Sequence, residues 1–110
     1  MGKDVKIFLQ HILECIEAIE EYVSGMKRSD FYNSRPIIDA VVRRIEIIGE
    51  AAKNIPAGFR NKYIHIPWQN AIDMRNFLIH EYFGVDKKQV WDTIKKDLPG
   101  FKKEIEILLK

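Results

Sequence analysis

At 110 residues, with 46% hydrophobic and 31% charged side chains, the chain is long enough to bury a core and too apolar to be disordered. Eighteen Lys and Arg against sixteen Asp and Glu leave a formal charge of +2, so nucleic-acid binding by bulk charge is excluded and only a local patch could provide it. One cysteine, Cys15, excludes a disulfide framework and suits a reducing cytoplasm, and no apolar run reaches the ~20 residues that a membrane-spanning helix needs.

The chain opens with Met1-Gly2-Lys3-Asp4-Val5-Lys6, without the apolar core of a signal peptide. The expectation is one cytoplasmic domain over residues 1–110. Asp4 is a candidate N-cap for a first helix running to about Tyr22–Ser24, closed by Gly25. Val5, Phe8, Ile12, Cys15, Ile19 and Tyr22 step by threes and fours and form its seam. His11, Glu14, Glu17, Glu20 and Glu21 fall on the wet face. His11 reads as a surface residue, because nothing near it in the chain completes a site.

Lys27-Arg28-Ser29-Asp30 is a polar link in which Ser29 or Asp30 can cap a short turn. A second long helix starts near Ser34 or Pro36, where proline is tolerated in the first turn. Its seam is Ile38, Val41, Ile45, Ile48, Ala52 and Ile55, and Ile55-Pro56 ends it. Gly49 within it costs ~1 kcal/mol against Ala, and is read as permitting close approach of another helix. Arg43 and Arg44 are read as a solvated or ion-paired face, with a phosphate path as the other reading.

Residues 57–66 form a connector with one turn around Phe59–Lys62. Pro67 and Trp68 open a third main helix expected to reach about Phe83, with His65 structural at its approach and Gly84 as its C-terminal cap. Asp86 and Gln89 have capping-box spacing and start a fourth helix carrying Val90, Trp91 and Ile94. Leu98-Pro99-Gly100 is expected to break it, and a last helix carries Phe101, Ile105 and Leu108. No sustained alternation or Asn-Gly hairpin marks a strand. The fold class is therefore all-α, an up-and-down bundle of four principal helices plus one or two short ones.

Chemistry is concentrated in Met74-Arg75-Asn76-Phe77-Leu78-Ile79-His80-Glu81-Tyr82-Phe83. At ~100° per residue, Asn76 and His80 share one helical face and Arg75 and Tyr82 align on an adjoining one. Ile72, Ile79 and Phe83 fall close to the same sector, which would shelter the polar groups. No two of His11, His65 and His80 have the spacing for joint metal ligation, and His11 with Cys15 lacks further ligands; no metal and no cofactor are expected. No Gly-x-Ser-x-Gly turn and no glycine-rich phosphate loop occurs.

Arg75, Asn76, His80 and Tyr82 suit attack on a phosphodiester. RNA carries its own nucleophile in the 2′-hydroxyl. Imidazole serves as acid or base near neutral pH, and guanidinium grips phosphate with two hydrogen bonds while staying charged. One histidine cannot be both acid and base in one concerted step, and a two-fold dimer would bring a second His80 to one cleft. The same four residues could instead tie helices together by hydrogen bonds, and spacing alone leaves that alternative open.

Arg75-Asn76, three residues, His80, one residue, then Tyr82 resembles the signature of the HEPN superfamily, and more narrowly of its HepT-like branch. Asp39-Ala40-Val41-Val42-Arg43-Arg44 with Ile48-Gly49-Glu50-Ala51-Ala52-Lys53 is similar to that family's second-helix block. Ile66-Pro67-Trp68, then Tyr82-Phe83-Gly84-Val85-Asp86, Val90-Trp91 and Asp97-Leu98-Pro99 extend the likeness over roughly residues 5–108. The resemblance implies an all-α homodimer. It implies a toxin that acts as a metal-independent endoribonuclease on RNA. Its partner would be a minimal nucleotidyltransferase antitoxin that silences it by transferring AMP to the motif tyrosine. Carried over, Arg75 and His80 are catalytic, Asn76 supports them, and Tyr82 is the adenylylation target. Glu81 stands where the family often has a small residue. The alternative functions are a non-catalytic nucleotide- or partner-binding module that docks a nucleotidyltransferase, and a purely structural dimer subunit.

Overall fold

The structure is a computed structural model that describes residues 1–79 and 84–110. The described elements are all helical: α1 (Lys3–Tyr22), α2 (Arg28–Tyr32), α3 (Arg35–Asn54), α4 (Ala57–Lys62), α5 (Trp68–Ile79), α6 (Lys87–Asp92), a π-helical turn (Thr93–Asp97) and α7 (Leu98–Leu109). No described helix is long and apolar enough to cross a membrane.

The α3 helix is the central beam. Its expected seam, Ile38, Val41, Ile45, Ile48, Ala52 and Ile55, is buried throughout. It packs chiefly against α5 on one side and α1 on the other. Ser34 caps it by accepting from the Ile37 N–H at 3.4 Å, and Pro56 follows its C-terminal end. Along α1 the buried stripe is wider than the expected seam. Leu9 and Ile16 are fully buried, whereas Phe8 and Tyr22 are only partly so. The reason is that α1 meets two partners, α3 and α7, which needs more than one narrow line of contact.

The expected cap of α1 is displaced. Asp4 lies within the first turn and Gly2 holds the N-cap position, so the carboxylate acts on the helix dipole rather than on one N–H. Gly25, at φ +77°, ends the α1 turn as expected. Asp30 does cap α2, accepting from the Lys27 N–H at 2.9 Å, and Phe31 behind it is fully buried against Trp91.

A break at Leu98-Pro99-Gly100 does not occur. Every junction from Asp92 to Leu98 is right-handed helical. The Leu98 N–H donates to the Thr93 carbonyl five residues back, and this wider turn lets the proline re-enter at the first turn of α7. Burial of Trp91, Ile94, Leu98, Phe101 and Ile105 holds the two halves to one core. Asp86 caps α6 by accepting from the Gln89 N–H at 3.1 Å.

Aromatic packing sets the start of α5. Trp68 is buried, donates its indole N–H to the Tyr63 carbonyl at 3.1 Å, and meets the Phe101 ring edge-on at 5.9 Å. These contacts join α5 to the preceding connector and to α7, and so aim its other end at α3 and α1.

Candidate functional site

Gly49 is the reason α5 lies so close to α3. A Cβ there would stand 2.8 Å from the Ala71 carbonyl oxygen and would collide with the Cβ of Arg75. The close approach expected of this glycine is therefore real, and Arg75 is the residue it admits. With its side chain only 22% exposed, Arg75 reaches over α3 and forms an ion pair with Glu50 at 2.9 Å. Its other terminal nitrogen donates to Asn76 Oδ1 at 2.8 Å. An ion pair to α3 and a hydrogen bond within α5 thus hold one planar guanidinium.

Around Arg75 lies a cleft of about 390 Å³ between α1, α3 and α5. Phe8 and His11 line it from α1, Arg43, Glu46 and Glu50 from α3, and Arg75 and Ile79 from α5. The carboxylates face the cations: Glu50 pairs with Arg75, and Glu46 stands 3.9 Å from the exposed Arg43. This is a polar, partly neutralised cleft whose two guanidinium groups could each exchange a carboxylate for a phosphate.

Of the candidate site residues, Arg75 and Asn76 are brought together. His80 and Tyr82 lie outside the described residues, as does the expected C-terminal end of this helix. Ile79, which His80 follows in the chain, lines the cleft. Of the two described motif residues, the expected shelter holds for Arg75 and not for Asn76. Asn76 is exposed and Ile79 is 38% exposed, because α5 turns Trp68, Ile72 and Leu78 to the core instead.

Two residues of the cleft, Glu50 and His11, were not legible as site residues, and a third, Arg43, was read first as an ion-paired surface. Glu50 is four residues from Glu46 and looks like solvated helix surface until α5 is laid across it. Arg43 fits the ion-paired reading, yet it also faces the cleft. His11 is exposed, as expected of a surface residue, but α3 and α5 supply the neighbours that its own helix lacks. His65 lies elsewhere, bonded to Glu104 of α7 at 3.1 Å.

Arg44, next to Arg43 on α3, has a structural role. Arg44 donates to the Tyr22 hydroxyl at 3.3 Å and lies 3.8 Å from Cys15 Sγ. Those two hydrogen bonds, Tyr22 first, raise its already high pKa, so it stays a fixed cation joining α3 to α1.

A second and larger hollow, about 730 Å³, opens on the other flank of α5. Ile48, Met74, Phe77, Leu98 and Phe101 form much of its apolar lining, and Asp73, Asp97 and Glu104 contribute carboxylates.

The model of the ribonuclease HepT-like family matches residues 12–108. Among curated relatives, a protein of Methanocaldococcus jannaschii named "Gamma-glutamylcyclotransferase and putative RNase" is 57% identical over 105 residues, covering 96% of this chain and 47% of that protein. The chain therefore spans about half of that relative's length. A "Probable ribonuclease HepT" of Thermococcus cleftensis is 44% identical over 110 residues, the whole of both chains. No solved structure matches the chain significantly.

Proposed function

The chain belongs to the ribonuclease HepT-like family, and from that membership we propose that it is a metal-independent endoribonuclease, the toxin of a toxin–antitoxin pair. The observation that carries this reading is Arg75, a guanidinium held by Glu50 and Asn76 at the wall of a cleft. In the reaction, the 2′-hydroxyl of RNA attacks the adjacent phosphorus. The O2′–P bond forms and the P–O5′ bond breaks, leaving a 2′,3′-cyclic phosphate and a 5′-hydroxyl. A base takes the 2′-hydroxyl proton and an acid returns one to O5′. Arg75 stabilises the charge that builds on the phosphorane oxygens, His80 transfers a proton, and Asn76 holds the guanidinium plane.

The reaction needs two proton-transfer groups, and the motif has one. Two-fold dimerisation is one way to bring a second imidazole to the cleft, and sedimentation at working concentration tests it. Tyr82, two residues beyond His80, is the proposed acceptor of AMP from a minimal nucleotidyltransferase. A bulky, negatively charged AMP there would exclude RNA and repel its phosphates.

The test expresses wild type, Arg75→Ala and His80→Ala in a host without the antitoxin. Wild type is expected to arrest growth and fragment RNA, and both variants to be tolerated. Equal toxicity of all three, or none in any, overturns the ribonuclease reading. Mass spectrometry after co-expression with a nucleotidyltransferase tests the switch, and an unmodified Tyr82 removes it. The alternative, a non-catalytic module docking a nucleotidyltransferase, draws support from the apolar hollow beside α5, which is wide enough for a partner's side chains. It predicts binding of the nucleotidyltransferase without RNA cleavage.

A further inference from the structure

We propose that the larger hollow beside α5 is a binding site for an aliphatic polyamine, a flexible methylene chain carrying two or more ammonium groups. The inference does not depend on the ribonuclease reading, because binding is read without RNA. At about 730 Å³ the hollow is within the ~300–1,000 Å³ usual for small-ligand sites. Three features define the chemistry of its occupant.

The first is an apolar floor. Ile48, Met74 and Leu98 line the hollow together with the rings of Phe77 and Phe101. Phe77 is 38% exposed, while Trp68, Ile72 and Leu78 of the same helix face the core. Methylenes laid on this floor take apolar surface out of water, and an ammonium over a phenyl face gains cation–π attraction. The second feature is charge. Asp73 comes from α5, Asp97 from the π-helical turn and Glu104 from α7, and Lys96 is the one cation among the described lining residues. The Lys96 ammonium stands 3.9 Å from Asp92, which does not line the hollow. Asp73 accepts from the uncharged Gln69 amide at 2.8 Å, and Glu104 also bonds His65 at 3.1 Å. The hollow is therefore net negative. It repels phosphates, and a neutral ligand would strip water from its carboxylates without replacing it. Among the described residues no three such groups stand close enough to hold a metal ion, so the charges suit a spread cation rather than a point one.

The third feature is the sense of the hydrogen bonds. Thr93 lines the hollow and is 9% exposed, and its hydroxyl donates to the Gln89 carbonyl at 2.9 Å. With its proton committed, it can only accept from a ligand. With the carboxylates this makes an acceptor-rich wall, and each ammonium brings three donors. Because the carboxylates come from three separate elements, several ammonium groups on one flexible chain match them better than a single charge.

The test is isothermal titration of the full chain with spermidine in an amine-free buffer at fixed ionic strength. 1,6-Hexanediol supplies the apolar body without charge, and magnesium supplies charge without the body. Saturable binding of spermidine is expected, with neither control binding comparably. Asp73→Asn/Asp97→Asn should weaken it roughly 3- to 30-fold, and Phe77→Ala should also weaken it. Glu17→Gln/Glu21→Gln removes the same charge from the exposed face of α1 and should leave affinity within about twofold. Spermidine should shift the Met74 methyl and Phe77 ring resonances of the wild type, a reading that needs no variant. Absence of saturable binding overturns the proposal, as does equal weakening by the two double variants, which would mean attraction to net charge alone. Comparable binding of hexanediol or magnesium overturns it too, as do resonance shifts confined to other parts of the chain.

Discussion

The backbone of α3 at Gly49 touches the root of the Arg75 side chain on α5, and no larger residue fits between them. Helix crossing and placement of the candidate phosphate-binding group are therefore one event. Gly49→Ala should gain ~1 kcal/mol of helix propensity and lose ~1–3 kcal/mol to overpacking. The obstacles are a backbone carbonyl and a Cβ, neither of which can swing aside, so the loss should win. A lowered Tm is expected, together with a fall in RNA cleavage at temperatures where the variant is still folded. Unchanged cleavage by a folded Gly49→Ala protein would detach Arg75 from the function.

Glu50 is ion-paired with Arg75, and on the proposed reading it both aligns the guanidinium and competes with phosphate for it. The carboxylate is 52% exposed, so Glu50→Gln should change stability by no more than the ~0–1 kcal/mol of a surface pair. Its effect should appear in kinetics. Removing a negative charge from the cleft lowers KM for RNA, and loosening the guanidinium lowers kcat. Steady-state parameters at fixed ionic strength check this split. A parallel rise of KM would show that Glu50 does not face the substrate.

Trp68 is the joint that sets α5 against α7, with its indole bonded to Tyr63 and its ring against Phe101 and Phe59. Trp68→Ala should cost ~3–5 kcal/mol, read by denaturant unfolding. Trp68→Phe keeps the aromatic contact but leaves the Tyr63 carbonyl without this donor, so it should cost less.

Asp92 sits where α6 widens into the π-helical turn, with Lys88 at 3.2 Å and Lys96 at 3.9 Å. The hydrogen bond from Lys88, then the nearby positive charges, hold its carboxyl below the usual range. A lowered folded-state pKa means stability that is present above the unfolded value of ~3.9 and lost as pH falls through the folded one. The stability difference between wild type and Asp92→Asn should therefore be largest near neutral pH and close on acidification. Unfolding curves for both proteins at several pH values measure it, and a difference that stays constant with pH would disprove the linkage.

Much of the fold was legible because helices announce themselves locally. The seam of α3 repeats on one face, Ser34 and Asp86 stand at cap positions, and Pro56 marks a boundary. Legibility failed where a partner was needed to interpret a residue. Leu9 and Ile16 fall outside the expected seam of α1 and are buried because α7 packs on it as well as α3. Pro99 looked like a break, since a proline penalty is local and the buried face that overrides it is not.

The sequence by itself determined the all-helical class, the registers of the long helices, the Arg75-Asn76 pair and the family. All of these depend on spacing within one or two turns, or on residues read in order. Only the tertiary structure decided that Arg75 meets Glu50, that Arg43 turns to the same space, and that His11 shares it. Those residues are 25 to 64 positions apart from Arg75. They meet because Gly49 removes the one side chain that would have kept α5 away from α3.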